Sequence, residues 1–271
     1  MTQEIEILRC EDGGSSQMRK DEVAVEEPLE IRVEGHVVAI AMRTPGYDRE
    51  LAAGWAWSEG VVKSAREIAD IVTRPGEEAQ RSAMVDVMLR DPGQFEVEKH
   101  RRNVITHASC GLCGAASIEQ VLRAFPKLEG AFQMEASVLY RLPERLQAQQ
   151  RLFQKTGGVH ACALFDSKGE LLALREDVGR HNALDKLVGW ALLAGRVPLA
   201  ETILLLSGRA SFEMVQKALA AGIPMIAAIG APSSLAVELA RNSGQCMAAF
   251  LRRSTLNVYA GLERLRGAGG L

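Results

Sequence analysis

From Val23 onward apolar and polar residues take turns. Leu29, Ile31 and Val33 alternate with Glu30, Arg32 and Glu34, the period of two expected of a half-buried strand. Gly35-His36 breaks the alternation and Val37 to Met42 resumes it as an apolar run, so the pattern predicts strand, turn, strand. Pro45-Gly46-Tyr47-Asp48 reads as a turn, and Glu50 to Ser58 as a helix stopped by Gly60. Weaker strand signals follow at 84–90 and 95–98, and Asn103 to Thr106 leads into a cysteine-bearing stretch, THASCGLCG. Beyond it, Ile118, Val121, Leu122 and Phe125 share one helical face and Pro126 ends the run. A capping box of Ser117 with Gln120 leaves both cysteines in the preceding loop; a start at Gly114 puts Cys113 at the helix mouth. Residues 1–22 are polar and acidic around Gly13-Gly14-Ser15-Ser16, and are predicted to be a mobile tail.

The second half is more regular. His160 to Phe165 and Leu171 to Arg175 flank Asp166-Ser167-Lys168-Gly169, a hairpin signal. A helix is predicted from about Asn182, with Leu184, Leu187, Val188 and Ala191 inward and Gly195 past its end. Apolar strands at 202–206, 224–229 and 246–251 are separated by two helices. Ser211 is placed to cap the first, which carries Phe212, Val215 and Leu219; the second carries Leu235, Val237 and Leu239. Strands alternating with helices predict a three-layer α/β unit with a mostly parallel sheet over 131–271. A smaller α+β part is expected over 23–130, holding the cysteine loop.

Composition narrows the function. The 271 residues are 47% hydrophobic and 24% charged, enough for a sizeable core without disulfide staples. A net charge of -2 gives no reason to expect nucleic acid or an anionic membrane as partner, so any anionic ligand needs a local basic cluster. No apolar run reaches membrane-spanning length. The first residues resemble neither a secretory signal nor a transit peptide, which points to the cytoplasm. Five cysteines, odd in number and unevenly spread, are expected as free thiols. Cys162 and Cys246, inside apolar strands, are predicted to be inert.

Cys110 and Cys113 form a Cys-x-x-Cys pair. Structural zinc needs about four ligands, and only His107 is near. Dithiol-disulfide exchange suits the strand-CGLC-helix context, yet no thioredoxin-like unit surrounds it. Sulfur carriage as a persulfide needs a nucleophilic, accessible thiolate on a loop of small residues, which Ser109, Gly111, Gly114 and Ala115 supply. An incidental surface pair is the fourth reading. A zinc deaminase is disfavoured: none of the five histidines has Glu two residues later.

Two loops repeat a second theme. Asp177-Val178-Gly179-Arg180-His181-Asn182 and Ser207-Gly208-Arg209-Ala210-Ser211 each run from a strand to a helix. Glycine permits close backbone approach, helix-start N–H groups favour anions, and arginine adds a phosphate fork. Phe250, Leu251, Arg252, Arg253, Ser254 and Thr255 form a third basic element leaving the last strand. Either loop alone is explained as well by surface salt bridges. Together with the third element they point to a phosphate-bearing ligand, with Asp177 placed to accept from a purine edge.

The chain resembles the formate dehydrogenase accessory sulfurtransferase family, FdhD. The resemblance rests on EEPLEIRVEG at 26–35, MRTPGYDRELAAGWAWSEG at 42–60, ASCGLCG at 108–114, REDVGRHNALDK at 175–186, SGRASFEMVQKALAAGIP at 207–224 and APSSLAVELA at 231–240. It implies an enzyme that takes persulfide sulfur from a cysteine desulfurase and passes it to the molybdenum cofactor of formate dehydrogenase. That cofactor is the bis-molybdopterin guanine dinucleotide form, bound as substrate, with no permanently bound metal. By the same resemblance Cys110 carries the persulfide, Cys113 assists, and 250–255 meets the cofactor. At Arg252-Arg253 the family more often has Arg-Gly. The resemblance further implies a cytidine-deaminase-like C-terminal part and a homodimer. The rival from another class is a non-enzymatic chaperone that binds the cofactor without moving sulfur.

Overall fold

The alternation read at Leu29, Ile31 and Val33 is a strand whose three apolar side chains are fully buried. It belongs to a computed structural model that describes residues 1–74, 83–97, 127–128 and 130–267. Four strands build the first sheet: β3 (Glu27–Val33), β4 (His36–Arg43), β5 (Ile68–Arg74) and β6 (Ala83–Leu89), in the order β4-β3-β6-β5. The turn between β3 and β4 is Glu34-Gly35, with φ of 51° and 76°, one residue earlier than the Gly35-His36 expected. Two successive left-handed residues match the twist of a two-residue hairpin. Helix α1 (Asp48–Ser58) lies across this sheet and buries Leu51, Ala52, Ala53 and Ala56 against it.

Residues 1–22 are not the tail predicted for them. β1 (Thr2–Cys10) and β2 (Ser16–Ala24) pair as an antiparallel ribbon across the turn at Gly13 and Gly14, whose φ angles are 104° and 89°. Charge and the central glycines outweighed a short alternation of Ile5 and Ile7 with Glu4 and Glu6. Residues 95–97, expected to begin a strand, are not extended into one, because Pro92–Gln94 turns the chain into a 3-10 segment first.

The second half carries β7 (Met134–Glu135), α2 (Ala136–Leu139), α3 (Leu142–Gln149) and α4 (Arg151–Thr156). Next come β8 (His160–Phe165), β9 (Leu171–Asp177) and α5 (Arg180–Leu193). Then follow β10 (Ile203–Leu206), α6 (Phe212–Ala220), β11 (Met225–Ala228), α7 (Ser234–Ser243) and β12 (Cys246–Ala249). β13 (Asn257–Ala260) and β14 (Leu265–Arg266) end the described chain. Six of these strands form one sheet in the order β13-β12-β11-β10-β8-β9. Helices α5, α6 and α7 cover one face with Leu184, Leu187, Val215 and Leu239. The other face packs against Leu139, Leu142 and Leu146 of α2 and α3, so the unit has three layers.

The sheet is mixed, not mostly parallel. Only β10-β11-β12 run parallel; β8-β9, β8-β10 and β12-β13 are antiparallel. A four-residue turn can join only antiparallel neighbours. At Asp166–Gly169 it does so, with the Asp166 carboxylate accepting from Lys168 N and Glu170 N. Apolar runs report burial, not strand direction.

The two halves meet where α1 crosses α5. Gly54 and Gly189 face each other: a Cβ on Gly54 would lie 1.9 Å from Asp185 O, and one on Gly189 1.8 Å from Glu50 O. Around this contact Arg175 holds Glu50 through two bonds of 2.6 and 2.8 Å, and Ser58 Oγ donates to Asp185 at 2.9 Å. Lys217 pairs with the same Asp185 at 2.7 Å. Nearer the strand ends, Asp177 is fully buried and ion-paired with Lys186 at 2.6 Å. Its Oδ2 also accepts from Thr44 N, and its Oδ1 from Gly179 N and Asn182 Nδ2. Burial pushes the Lys186 ammonium's pKa down, and Asp177 opposes that shift.

Two stability predictions follow from this seam. Gly54→Val should cost ~3 kcal/mol or prevent folding, because backbone on the facing helix cannot retreat; urea unfolding should show a lower midpoint at unchanged slope. Asp177→Asn should cost about 3–5 kcal/mol by stranding the Lys186 charge, read as a fall in thermal midpoint. A midpoint like that of the parent protein in either variant would refute the corresponding account.

Candidate functional site

In the parallel core of the sheet, strand ends and helix starts share one edge. β10 ends there and leads through 207–211 into α6; β11 leads through 229–233 into α7; β12 runs out into 250–256. β8 and β9 form an antiparallel hairpin, so the start of β8 at His160 pairs with the end of β9 at Asp177 on this same edge. The mixed topology therefore gathers all three predicted elements. Backbone bonds lock the loops together: Gly230 N donates to Gly208 O, Ala210 N to Ala231 O, and Phe250 N to Gly230 O. Gly230 allows this closeness, since a Cβ there would sit 2.8 Å from Gly208 O.

The basic groups converge on His160. Burial first, then the charges of Arg180, His181 and Arg209, hold its pKa below the ordinary imidazole value. Arg180 opens α5, and its buried Nε has no hydrogen-bond partner among the described residues. His181 Nε2 lies 2.6 Å from Glu213 Oε2, an ion-pair distance without hydrogen-bond alignment. Arg209 is exposed. Gly208 fits directly over the His160 ring, 3.2 Å from where its Cβ would be. Ser207 Oγ accepts from Ala161 N at 2.8 Å. Ser211 occupies the cap position of α6, but its buried hydroxyl has no hydrogen-bond partner among the described residues. Neither α5 nor α6 has a side-chain cap, so two helix starts leave N–H groups facing the edge. By contrast Ser233 does cap α7 through Ala236 N.

Beside these loops lies a cavity of about 580 Å³. Gln147, Gln150 and Phe153 form one wall; His160, Ser207 and Gly208 form the other. Sequence reasoning missed the first wall and passed over His160, because residues 136–156 carry no motif and their helices are short. A signal was present in retrospect: Gln150 is buried between two helices, where an apolar residue would be the ordinary choice.

Protein contacts already engage several of the residues expected at this site. Asp177 cannot read a purine edge, because Thr44, Gly179, Asn182 and Lys186 already occupy both oxygens. Leu251 is fully buried in the core and anchors its segment. Arg252 spends one guanidinium nitrogen on Ile229 O and Leu251 O, and Arg253 pairs with Glu144 on α3. Phe250 is exposed with φ of 51°, a left-handed conformation costly for a bulky residue. Ser254 and Thr255 are exposed, and Thr255 O accepts from Arg252 N. Cys110, Cys113 and the helix expected after them lie outside the described residues. Cys162 and Cys246 are fully buried as anticipated; burial raises both thiol pKa values, that of Cys246 to about 12.

Comparison with known proteins gives a consistent result. The profile of the FdhD/NarQ family matches residues 24–266. The sulfur carrier protein FdhD of Streptomyces avermitilis is 49% identical over 271 residues, covering 98% of this chain and 96% of that one. The protein of the same name from Mycobacterium tuberculosis is 46% identical over 260 residues, covering 91% and 92%. Among solved structures, a proposed formate dehydrogenase accessory protein from Desulfotalea psychrophila superposes with a TM-score of 0.77. It is 27% identical and covers 97% of this chain and 99% of that one. With the match running through the four-stranded sheet, the cysteine stretch and the strand-end loops alike, this chain belongs to the FdhD/NarQ family.

Proposed function

We propose that this protein is a cytoplasmic sulfurtransferase serving formate dehydrogenase. The reading is carried by family membership together with one observation: His160, Ser207 and Gly208 line a cavity of about 580 Å³ beside the two Gly-Arg loops, and the charges of Arg180 and Arg209 act on His160. The naming of close relatives as sulfur carriers supports sulfur transport as the task.

In this reading the Cys110 thiolate attacks the sulfane sulfur of a cysteine desulfurase persulfide. A sulfur–sulfur bond forms on Cys110 as the desulfurase thiolate leaves, with no net oxidation. The Cys113 thiolate then attacks the inner sulfur of that persulfide, so that a Cys110–Cys113 disulfide forms as hydrosulfide leaves for the molybdenum cofactor, which is the substrate, and an external dithiol reduces the disulfide for the next cycle. The guanine dinucleotide phosphates of that cofactor are drawn to Arg180, Arg209 and the uncapped starts of α5 and α6. Arg252 retains donors for the same purpose, and Phe250, Arg253, Ser254 and Thr255 flank it. His181 lies 2.6 Å from Glu213, next to Arg180 at the start of α5. Ser207 and Gly208 offer a hydroxyl and a close backbone. The formate dehydrogenase catalytic subunit receives the product, and the working form is a homodimer.

Mass spectrometry after incubation with a desulfurase and cysteine should find one added sulfur on the Cys110 peptide, and Cys110→Ala should reduce formate dehydrogenase maturation to background. Full maturation by that variant would instead favour a chaperone that binds cofactor without moving sulfur. Calorimetry with GDP should show Arg180→Ala and Arg209→Ala each weakening binding about 10- to 100-fold. A bound phosphate raises the depressed pKa of His160, so binding takes up a proton there. Relative to His160→Asn, the parent protein should therefore gain affinity as pH falls from about 8 to about 6; parallel pH profiles would refute the coupling.

A further inference from the structure

Arg180 and His181 are held in place from the other half of the chain. The loop bearing them bonds to Met42–Thr44, which lies 133 residues earlier. Thr44 is fully buried and meets the loop at three points. Its N–H donates to Asp177 Oδ2 at 3.1 Å, its carbonyl accepts from Lys186 Nζ at 2.8 Å, and its Oγ1 accepts from Val178 N at 3.1 Å. Beside it, Asn182 Nδ2 donates to Met42 O at 2.7 Å.

Two of the Thr44 contacts use backbone atoms and are open to any residue. The third needs a hydroxyl. Burying a hydroxyl in a dry seam is costly unless it is bonded, and valine would fill the same volume. The benefit is local to the Val178 amide, one residue before the N-cap glycine of α5. Among the described residues Arg180 Nε has no hydrogen-bond partner that would hold it from the side-chain end.

We propose that Thr44 is a positioning residue of the anion site: its hydroxyl fixes the Val178 amide, and through it the line along which α5 presents Arg180 and His181. This rests on the nucleotide reading given above. The strap explains why a site made of second-half residues is built against the first-half sheet. It makes the N-terminal half part of the binding machinery and not only a neighbour.

The test uses the full chain with Thr44→Val and Thr44→Ser, read by GDP calorimetry and by hydrogen exchange at the Val178 amide. Thr44→Val should bind GDP about five- to tenfold more weakly and exchange faster at Val178, since it loses one partner of a half-buried donor. Thr44→Ser, which keeps the hydroxyl, should stay within about twofold of the parent on both readouts. Parent-like GDP affinity in Thr44→Val, or equal losses in the serine variant, would overturn the proposal. If Thr44→Val does not fold, Asn182→Ala, which breaks the bonds to Met42 O and Asp177, must show the same weakening or the idea fails. Should the parent itself fail to bind GDP, the nucleotide reading is what falls, and fast exchange at Val178 in Thr44→Val would still show the strap.

Discussion

A single buried carboxylate holds this architecture in register. Asp177 sits with no solvent exposure where the end of β9, the start of α5 and the end of β4 meet. Taking an aspartate and a lysine out of water costs several kcal/mol per ion, and their attraction offsets this only when the remaining lone pairs are filled. Here they are: Lys186, Thr44, Gly179 and Asn182 supply the donors. A group so fully committed has nothing left for a ligand. What it does instead is decide where the neighbouring Arg180 and His181 stand.

Below that point the two halves are joined by fit. Gly54 and Gly189 let the backbones of α1 and α5 touch, and the Glu50–Arg175 and Asp185–Lys217 pairs flank the contact. Helices this close tolerate little sliding, because interiors are packed to crystal-like density. The seam is therefore a rigid base for the strand-end loops above it. Among the described residues, Arg180 Nε and Ser211 Oγ are two of five buried polar atoms without a hydrogen-bond partner, and both lie on the loop side. Unpartnered donors at the loops, above a seam of paired charges, are the arrangement expected when a site is preorganised for an anion. The net charge of -2 makes that local excess of positive groups a property of the site and not of the whole surface.

Much of this was legible in residue order. Period-two alternation located β3 and β4, the Asp166–Gly169 turn located β8 and β9, and glycines marked the ends of α5, α6 and α7. The Gly-Arg loops were correctly placed between strand and helix. Other features left no local trace. The ribbon of β1 and β2 is charged and interrupted by Gly13-Gly14-Ser15-Ser16, so composition suggested a tail, although Ile5 and Ile7 alternate with Glu4 and Glu6 and cross-strand pairing makes two strands. Helices α2 to α4 are four to eight residues long, too short for a helical period to stand out.

Residue order by itself determined which segments are strands or helices in the core, which thiols are apolar and inert, and which loops carry glycine beside arginine. These are local properties, written in side-chain period and turn chemistry. Tertiary structure decided the direction of the strands, the partners of Asp177, the opposing wall formed by Gln147, Gln150 and Phe153, and the reach of Thr44 across the seam. Each of these depends on contacts between residues far apart in the chain, and a linear pattern of polar and apolar positions holds no record of which distant segments will meet.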